Sequence, residues 1–295
     1  MLIALVTARA ARDIDEDLPL LLDAFASRQQ AVEVVAWDDA AVDWSRYGVA
    51  LIRSTWGYTE RLPEFLAWAA RVSTLTRLEN PFPLVRWNVD KHYLAELARR
   101  GVNVVPTRFV EPTESADRAV ANFLRQFSEP ELVVKPCVGA GSRDAQRYAR
   151  ADVAGIVAHT RRLLDTGRSV LLQPYLQRVD AEGETALIHF EGRFSHAIRK
   201  AALLEVGTDS SRALFLPEKI SAREPTVDEH AVAAAVLAAL PSPPPLYARV
   251  DLIRDAQGAP ALLELELTEP SLFFDFAPGS AERLVDAVLA LAPRA

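Results

Sequence analysis

Two stretches near the C-terminus place acidic and basic side chains at a spacing that lets them meet. In YARVDLIR, residues 247–254, Arg249 and Asp251 stand two apart, and in ALLELELTEP, residues 261–270, so do Glu264 and Glu266, with Thr268 next. Side chains alternate faces along a strand. Each set therefore shares one face, while Val250, Leu252, Leu263, Leu265 and Leu267 take the opposite one. Paired across the turn-forming DAQG of residues 255–258, the strands bring three carboxylates and a guanidinium together. Like charges 4 Å apart repel by roughly 4 kcal/mol at an effective dielectric of 20. A bound Mg²⁺ on Asp251, Glu264 and Glu266 would compensate them, since it takes carboxylate oxygens together with substrate phosphates. The plainer alternative is the solvated outer face of an edge hairpin. That alternative predicts interspersed Lys and Glu, not clustered acids, and it leaves the strongly apolar opposite face unexplained.

A phosphate-binding group is visible upstream. The chain has 33 Lys+Arg, of which four are Lys (Lys91, Lys135, Lys200 and Lys219), leaving 33 − 4 = 29 Arg. Lysine is a compact point charge and a common phosphate ligand, so lysines kept in an arginine-dominated chain stand out. Lys135 ends an apolar strand and precedes VGAGSRD, residues 138–144, whose Gly139, Gly141, Ser142 and Arg143 form a small loop that lets backbone N–H groups approach phosphate oxygens. The G-x-x-x-x-G-K-[ST] loop is absent. Cys137 reads as a small buried hydrophobe. Gln173 and Tyr175 end another apolar strand and Glu184 follows shortly, a stretch where an adenine could stack and meet backbone groups.

The elements that must position these groups follow from hydrophobic spacing. Short apolar runs at residues 2–7, 32–36 and 49–53 alternate with helical patterns at 18–29 and 60–70, which argues for a parallel sheet. No G-x-G-x-x-G follows the first strand. Asn80–Pro83 reads as a linker closing this first unit, and Asn88 as the cap of a helix running to about residue 100 that Gly101 stops. Beyond it come strands at 104–109, 132–134 and 170–173, helices at 115–127 and 153–164, and a hairpin of 186–190 and 193–198 turning at Glu191-Gly192. A helix at 227–240, the stiff PSPPP connector of 241–245, the acidic hairpin and a final helix capped by Ser280 complete the chain. Arg53, Ser54 and Asn88 lie near strand ends, where ligands bind in open α/β sheets.

Composition narrows the function further. With half of its 295 residues hydrophobic and a quarter charged, the chain is globular. No apolar run of about 18 residues suggests a membrane span. The N-terminus lacks a basic region before its short apolar run, so a cytoplasmic protein is expected. One cysteine rules out an internal disulfide, and a net charge of −7 gives no support to nucleic-acid or anionic-membrane binding.

The order of these features resembles the ATP-grasp superfamily from about Trp87 to the C-terminus, with the first unit looking like a Rossmann-like pre-ATP-grasp domain. In glutathione synthetase and related ligases the last strand reads Glu-x-Asn-x-Thr-x-Pro, whereas this chain has Glu266 in the Asn position. Arg53-Ser54-Thr55-Trp56-Gly57-Tyr58, Asn80-Pro81, Arg86-Trp87-Asn88-x-Asp90-Lys91 and Ser195-His196-Ala197-Ile198-Arg199-Lys200 are similar to the O-ureido-serine cyclo-ligase group of cycloserine biosynthesis. That group often has Asp at the position of Gly57.

The resemblance implies an α/β (α+β) ATP-grasp fold, divided into a pre-ATP-grasp domain at 1–86 and an ATP-grasp region at 87–295. In that region about 104–175 would be a small lid subdomain and 176–295 the metal- and phosphate-binding part. It implies ATP and Mg²⁺ as cofactors. Lys91 and Lys135 would contact phosphates, with Gly139, Gly141, Ser142 and Arg143 closing over them. Gln173 and Tyr175 would border adenine and Glu184 the ribose. Arg199, Lys200 and Arg249 would stabilise the transferring phosphoryl group, and Asp251, Glu264 and Glu266 would bind the metal. A small amino-acid-like substrate would meet Arg53, Ser54, Thr55, Trp56, Tyr58, Asn88 and His196. Plainer roles compete for several of these: Lys91 as a surface residue, His196 as a satisfied core histidine, and Trp56, Tyr58 and Trp87 as core aromatics. The reaction implied is carboxylate activation by ATP and intramolecular ring closure of O-ureido-D-serine. An intermolecular amino-acid or dipeptide ligase and a non-catalytic nucleotide-binding protein are the alternatives, and a homodimer is left open.

Overall fold

The computed structural model describes residues 1–204, 206, 219–241 and 244–291. Three sheets follow one another along the chain. The first is parallel, in the order β2-β1-β3-β4, from β1 (Ile3–Thr7), β2 (Val32–Ala36), β3 (Val49–Ser54) and β4 (Arg77–Glu79). Every residue of β1 and β3 is buried, as the continuous apolar runs require of strands covered on both faces. Helices α1 (Asp17–Ser27) and α2 (Leu62–Leu75) pack with this sheet in two separate cores.

Helices α3 (Phe82–Asn88) and α4 (Tyr93–Arg99) lead onward. Here the sequence expectations need correction. Phe82 and Pro83 open a helix instead of lying in a linker, and α3 runs through the boundary expected at residue 86. Asn88 is the last residue of α3, not a cap, and α4 starts after His92. The expected strand at 104–109 shortens to β5 (Arg108–Val110).

The second sheet is antiparallel, β5-β8-β6-β7, with β6 (Glu131–Pro136), β7 (Gln146–Ala149) and β8 (Val170–Pro174). Helices α5 (Ala116–Gln126) and α6 (Val153–Asp165) cover it. Ser115 caps α5 by accepting from the N–H of Arg118.

A short helix α7 (Arg178–Glu182) leads to the third sheet. Its order is β11-β10-β9-β12-β13, antiparallel throughout, from β9 (Glu184–Phe190), β10 (Arg193–Lys200), β11 (Ile220–Ala222), β12 (Tyr247–Arg254) and β13 (Pro260–Glu266). Glu191 and Gly192 have φ of 51° and 76°, the left-handed pair that a tight β9–β10 turn needs. Helix α8 (Val227–Ala238) packs on one side. Helix α9 (Ser280–Leu289) packs against β9 and β10, with Gly279 in the cap position expected of Ser280. Part of the 241–245 connector lies outside the described residues. Among the described residues, no helix is long and apolar enough to cross a membrane.

Strand β13 is a sheet edge, and its outward backbone groups are satisfied by other parts of the chain. The N–H of Leu262 donates to Asn103 O at 2.8 Å, and that of Leu265 to the Tyr93 hydroxyl at 2.9 Å. Asn88 donates to Leu265 O at 2.7 Å and accepts from Leu267 N at 2.8 Å. Asn80 donates to Leu267 O at 2.7 Å. An edge strand finished in this way cannot slip or recruit another strand, so the acidic side chains it carries are held at fixed positions.

Candidate active site

A cavity of about 880 Å³ opens where the second and third sheets meet the loops after β1 and β3. The predicted pairing of the acidic hairpin holds: Arg249 lies opposite Glu266, and Asp251 opposite Glu264. One irregularity was not predicted. A bulge after Asp251 skips Leu263, which lines the cavity instead of sharing the apolar face with Leu265.

Cations are interleaved with the carboxylates. Lys91 Nζ is 3.0 Å from Glu264 Oε1, and Lys135 Nζ is 3.9 Å from Glu264 Oε2. Lys200 Nζ is 3.0 Å from Asp251 Oδ2 and also pairs with Glu184. Arg249 contacts Asp251 at 2.9 Å and pairs with Glu266 as well. The carboxylates are thus compensated within the protein, and their mutual repulsion does not by itself demand an ion. Three of the four lysines converge here, while Lys219 is exposed.

The titration of these groups follows the pairing. Burial pushes the Asp251 carboxyl up, but Arg249 and then Lys200 outweigh it and hold it well below the usual range. Glu264 is lowered in the same way by Lys91 and Lys135. For Glu266 burial prevails over Arg249, and its carboxyl is pushed up to about 7. Burial lowers the Lys135 ammonium, with Glu264 only partly opposing, whereas for Lys91 Glu264, joined by Glu266 and Glu269, more than reverses the effect of burial. Lys135 is therefore the less compensated of the two.

The 139–143 loop rims the cavity. Gly139 O accepts from Lys91 Nζ at 2.9 Å, and Arg143 pairs with Glu60 of the first unit. Gly141 and Ser142 have φ of 62° and 60°, so consecutive left-handed residues shape this loop and a glycine suits the first of them. Gln173 and Tyr175 line the same space; Gln173 donates to the Thr107 hydroxyl at 2.9 Å, and the Tyr175 ring carries the Arg147 guanidinium 3.5 Å above its centroid. Trp56, Tyr58 and Asn88 also reach the cavity. Asn88 does so with its amide committed to β13.

Five expected site residues do not reach it. Arg199 turns away and donates to Glu182 O at 2.6 Å and Ala181 O at 2.9 Å, closing the end of α7. Strand alternation is the reason: Lys200 faces the cavity, so its neighbour cannot. Gly183, with φ 74°, lies so close to this junction that a Cβ would fall 2.4 Å from Lys200 O. His196 donates from Nε2 to Leu272 O at 2.7 Å and accepts from Ser195 Oγ at 2.9 Å; burial lowers its pKa to about 4 and keeps it neutral. Arg53 donates to Pro270 O at 3.0 Å and lies 3.5 Å from Asp17. Ser54 binds the Thr7 hydroxyl at 2.9 Å, and Thr55 is fully buried. Arg53 and His196 thus hold the 270–272 backbone, and Ser54 and Thr55 belong to the first unit's interior. Gly57 has open space where a Cβ would stand.

Several lining residues were missed, and Glu269 is the one set beside the acidic strand. Glu269 is 9% exposed, accepts from the Tyr58 hydroxyl, and is pushed up to about 8 by burial, reinforced by Glu266. The signal was present, since LTEPSLFF sets a lone acid between a strand end and an apolar run. Alternation carried past Thr268 would turn Glu269 away from the acidic face, but β13 ends at Glu266 and the rule does not extend to it.

Comparison with known proteins places this geometry. The cycloserine biosynthesis protein DcsG of Streptomyces lavendulae is 45% identical over 293 residues, 97% of each chain. The chain belongs to the DcsG family. Residues 3–80 also match the family described as D-cycloserine synthetase DcsG, N-terminal domain. A crystal structure of D-cycloserine synthetase DcsG superposes with a TM-score of 0.91 at 44% identity, covering 98% of both chains. D-alanine–D-alanine ligase from Bacillus anthracis, in complex with ATP, gives a TM-score of 0.66 at 14% identity, covering 98% of this chain and 96% of that one. The fold of this DcsG-family chain is therefore ATP-grasp, as its motifs implied.

Proposed function

We propose that the chain is an ATP-dependent cyclo-ligase that closes O-ureido-D-serine to D-cycloserine, releasing ADP and phosphate. Near-full-length identity of 45% to the cycloserine biosynthesis protein carries the substrate reading. The lysine- and arginine-braced carboxylates of β12 and β13 support the chemistry. We read the first sheet with its helices as the pre-ATP-grasp domain, its end displaced from residue 86 because α3 runs through that position, about 104–175 as the lid and 176–295 as the metal- and phosphate-binding part.

Lys91, Lys135 and the 139–143 loop would hold the phosphates, and Gln173 and Tyr175 the adenine. Glu184, paired with Lys200 beside Asp251, fits the phosphate end better than the ribose. Asp251, Glu264 and Glu266 offer hard oxygen donors on one face, a set that fits Mg²⁺. When bound, the ion would neutralise phosphate charge.

The γ-phosphoryl group passes to the substrate carboxylate, giving ADP and an acyl phosphate. Lys200 and Arg249 face this step and would stabilise the charge that develops. The oxygen-bound ureido nitrogen then attacks the acyl carbon and phosphate leaves. The carbamoyl group must also leave that nitrogen, since cycloserine carries hydrogen there; a water molecule takes it as carbamic acid, which breaks down to carbon dioxide and ammonia, and supplies the hydrogen. Effective molarities of about 10⁵ M or more favour attack within one molecule. A closed loop matters because water would hydrolyse the acyl phosphate.

The deciding experiment measures magnesium-dependent ADP release with O-ureido-D-serine as the sole added substrate, with products identified by mass spectrometry. ADP together with cycloserine is the expected result. ADP only with pairs of amino acids would move the chain to an intermolecular ligase. Nucleotide binding without turnover of any substrate would make it a binding protein.

A further inference from the structure

The buried and half-buried carboxylates that line the cavity differ in one respect. Asp17 has Arg53, Glu264 has Lys91 and Lys135, Asp251 has Arg249 and Lys200, Glu184 has Lys200, and Glu266 has Arg249. Glu269 is 9% exposed, and among the described residues no cation lies within ion-pairing distance of it, Lys91 acting on it only from further away. Its only side-chain partner there is the Tyr58 hydroxyl.

A carboxyl buried without a cation is costly to ionise, and a cationic ligand seated against it would hold it ionised. The position of Glu269 is also tightly built. Its backbone carbonyl accepts from Trp56 Nε1 at 3.1 Å, and the next carbonyl, of Pro270, accepts from Arg53 Nη2 at 3.0 Å. Asp17 accepts from the N–H groups of Leu272 and Phe274 a few residues further on. Three side chains of the first unit are thus spent on holding this segment at the cavity wall. Trp56 and Tyr58 meet Glu269 through their N–H and O–H groups, and both also line the cavity. The phosphate end of the cavity is rich in lysine and arginine, so it repels an ammonium and draws a carboxylate and phosphates. The two ends therefore sort the two charges of an amino acid.

We propose that Glu269 anchors the α-ammonium group of the substrate and so restricts the cavity to amino acids. This rests on the cyclo-ligase reading for the identity of the substrate, and it makes Glu269 a specificity-determining residue.

The test compares O-ureido-D-serine with its des-amino analogue, 3-(carbamoylaminooxy)propanoic acid, in magnesium-dependent ADP release. The wild-type protein is expected to prefer the amino substrate by about 10²-fold or more in kcat/KM, the scale of a buried charge pair losing one partner. In Glu269→Gln that ratio should fall toward one, with most of the loss on the amino substrate. Glu269→Asp should retain part of it. A wild-type protein that treats both compounds alike overturns the proposal, whatever the variants do. So does an equal loss on both compounds in Glu269→Gln, or a loss that added magnesium restores, which would make Glu269 a metal ligand. Absence of ADP with wild-type protein and O-ureido-D-serine is a separate outcome that rejects the substrate reading. The same comparison then uses whichever amino acid from a D- and L-panel supports ADP release, against its own des-amino acid, and no discrimination there rejects the anchor.

Discussion

Lys91 Nζ lies 3.0 Å from Glu264 Oε1, with Lys135 Nζ 3.9 Å from the other oxygen of the same carboxylate. One glutamate thus separates two buried lysines while also facing the proposed metal position. Glu264→Gln should lower magnesium-dependent ADP release at least about 10³-fold, the order expected when electrostatic support for a charged transition state is removed. It should also destabilise the protein by roughly 3 kcal/mol, because two buried ammonium groups then lack their counter-charge. Turnover assays and urea denaturation read the two effects separately, and wild-type turnover would remove Glu264 from the site.

Lys200 and Arg199 are neighbours on β10 with opposite destinations: Lys200 to Asp251 and Glu184, Arg199 to the carbonyls ending α7. Lys200→Met should cut kcat by about 10²-fold or more. Arg199→Met should leave kcat within a few-fold and lower stability by about 1 kcal/mol through two lost hydrogen bonds. Equal kinetic damage from both substitutions would contradict the assignment of faces.

His92 gives the protein a pH dependence that can be signed. Its Nδ1 is 2.6 Å from Asp90 and its Nε2 2.9 Å from Glu111. Burial lowers its pKa, but Asp90 and then Glu111 more than reverse this, so it sits above 6.5. A group raised in the folded state binds its proton more tightly there than in the unfolded chain. Its stabilisation is complete below pH 6.5 and is lost as pH rises through the higher folded value. Thermal unfolding of wild type and His92→Gln across pH 5.5–9 should show the difference in Tm shrinking as pH rises through that window. A constant difference would mean that the imidazole is neutral throughout.

Much of this architecture is legible in the sequence because its signals are local. Short apolar runs reveal β1, β3, β6 and β8, and strict alternation reveals both the acidic hairpin and its facing. What was misread depends on partners far along the chain. Asn88 has the residue type and context of a helix cap, yet its amide is used by backbone 177 and 179 positions away. Arg53 stands near a strand end and His196 within the β9–β10 hairpin, but both reach the backbone of residues 270–272, which no local pattern announces. Glu269 was missed for a related reason, since where a strand stops decides which face the next residue takes. Arg199 is different, because the alternation rule that located Asp251 and Glu264 was available and separates it from Lys200.

The two bonds of Asn88 offer the sharpest check on how the metal strand is held. Its Nδ2 donates to Leu265 O and its Oδ1 accepts from Leu267 N, the backbone on either side of Glu266. Replacement by Leu keeps the volume roughly constant but leaves a buried carbonyl and a buried N–H unpaired, at about 1–3 kcal/mol each. Asn88→Leu should therefore lose about 2–4 kcal/mol of stability in urea denaturation. Strand β13 would remain anchored by Tyr93 and Asn80 while Glu264 and Glu266 lose their fixed placement. The kinetic signature should be a higher magnesium requirement for ADP release, with nucleotide affinity measured without metal changing little. Had Asn88 been a substrate ligand, as its motif implied, the variant would instead raise KM for the amino-acid substrate at unchanged magnesium dependence and near-normal stability.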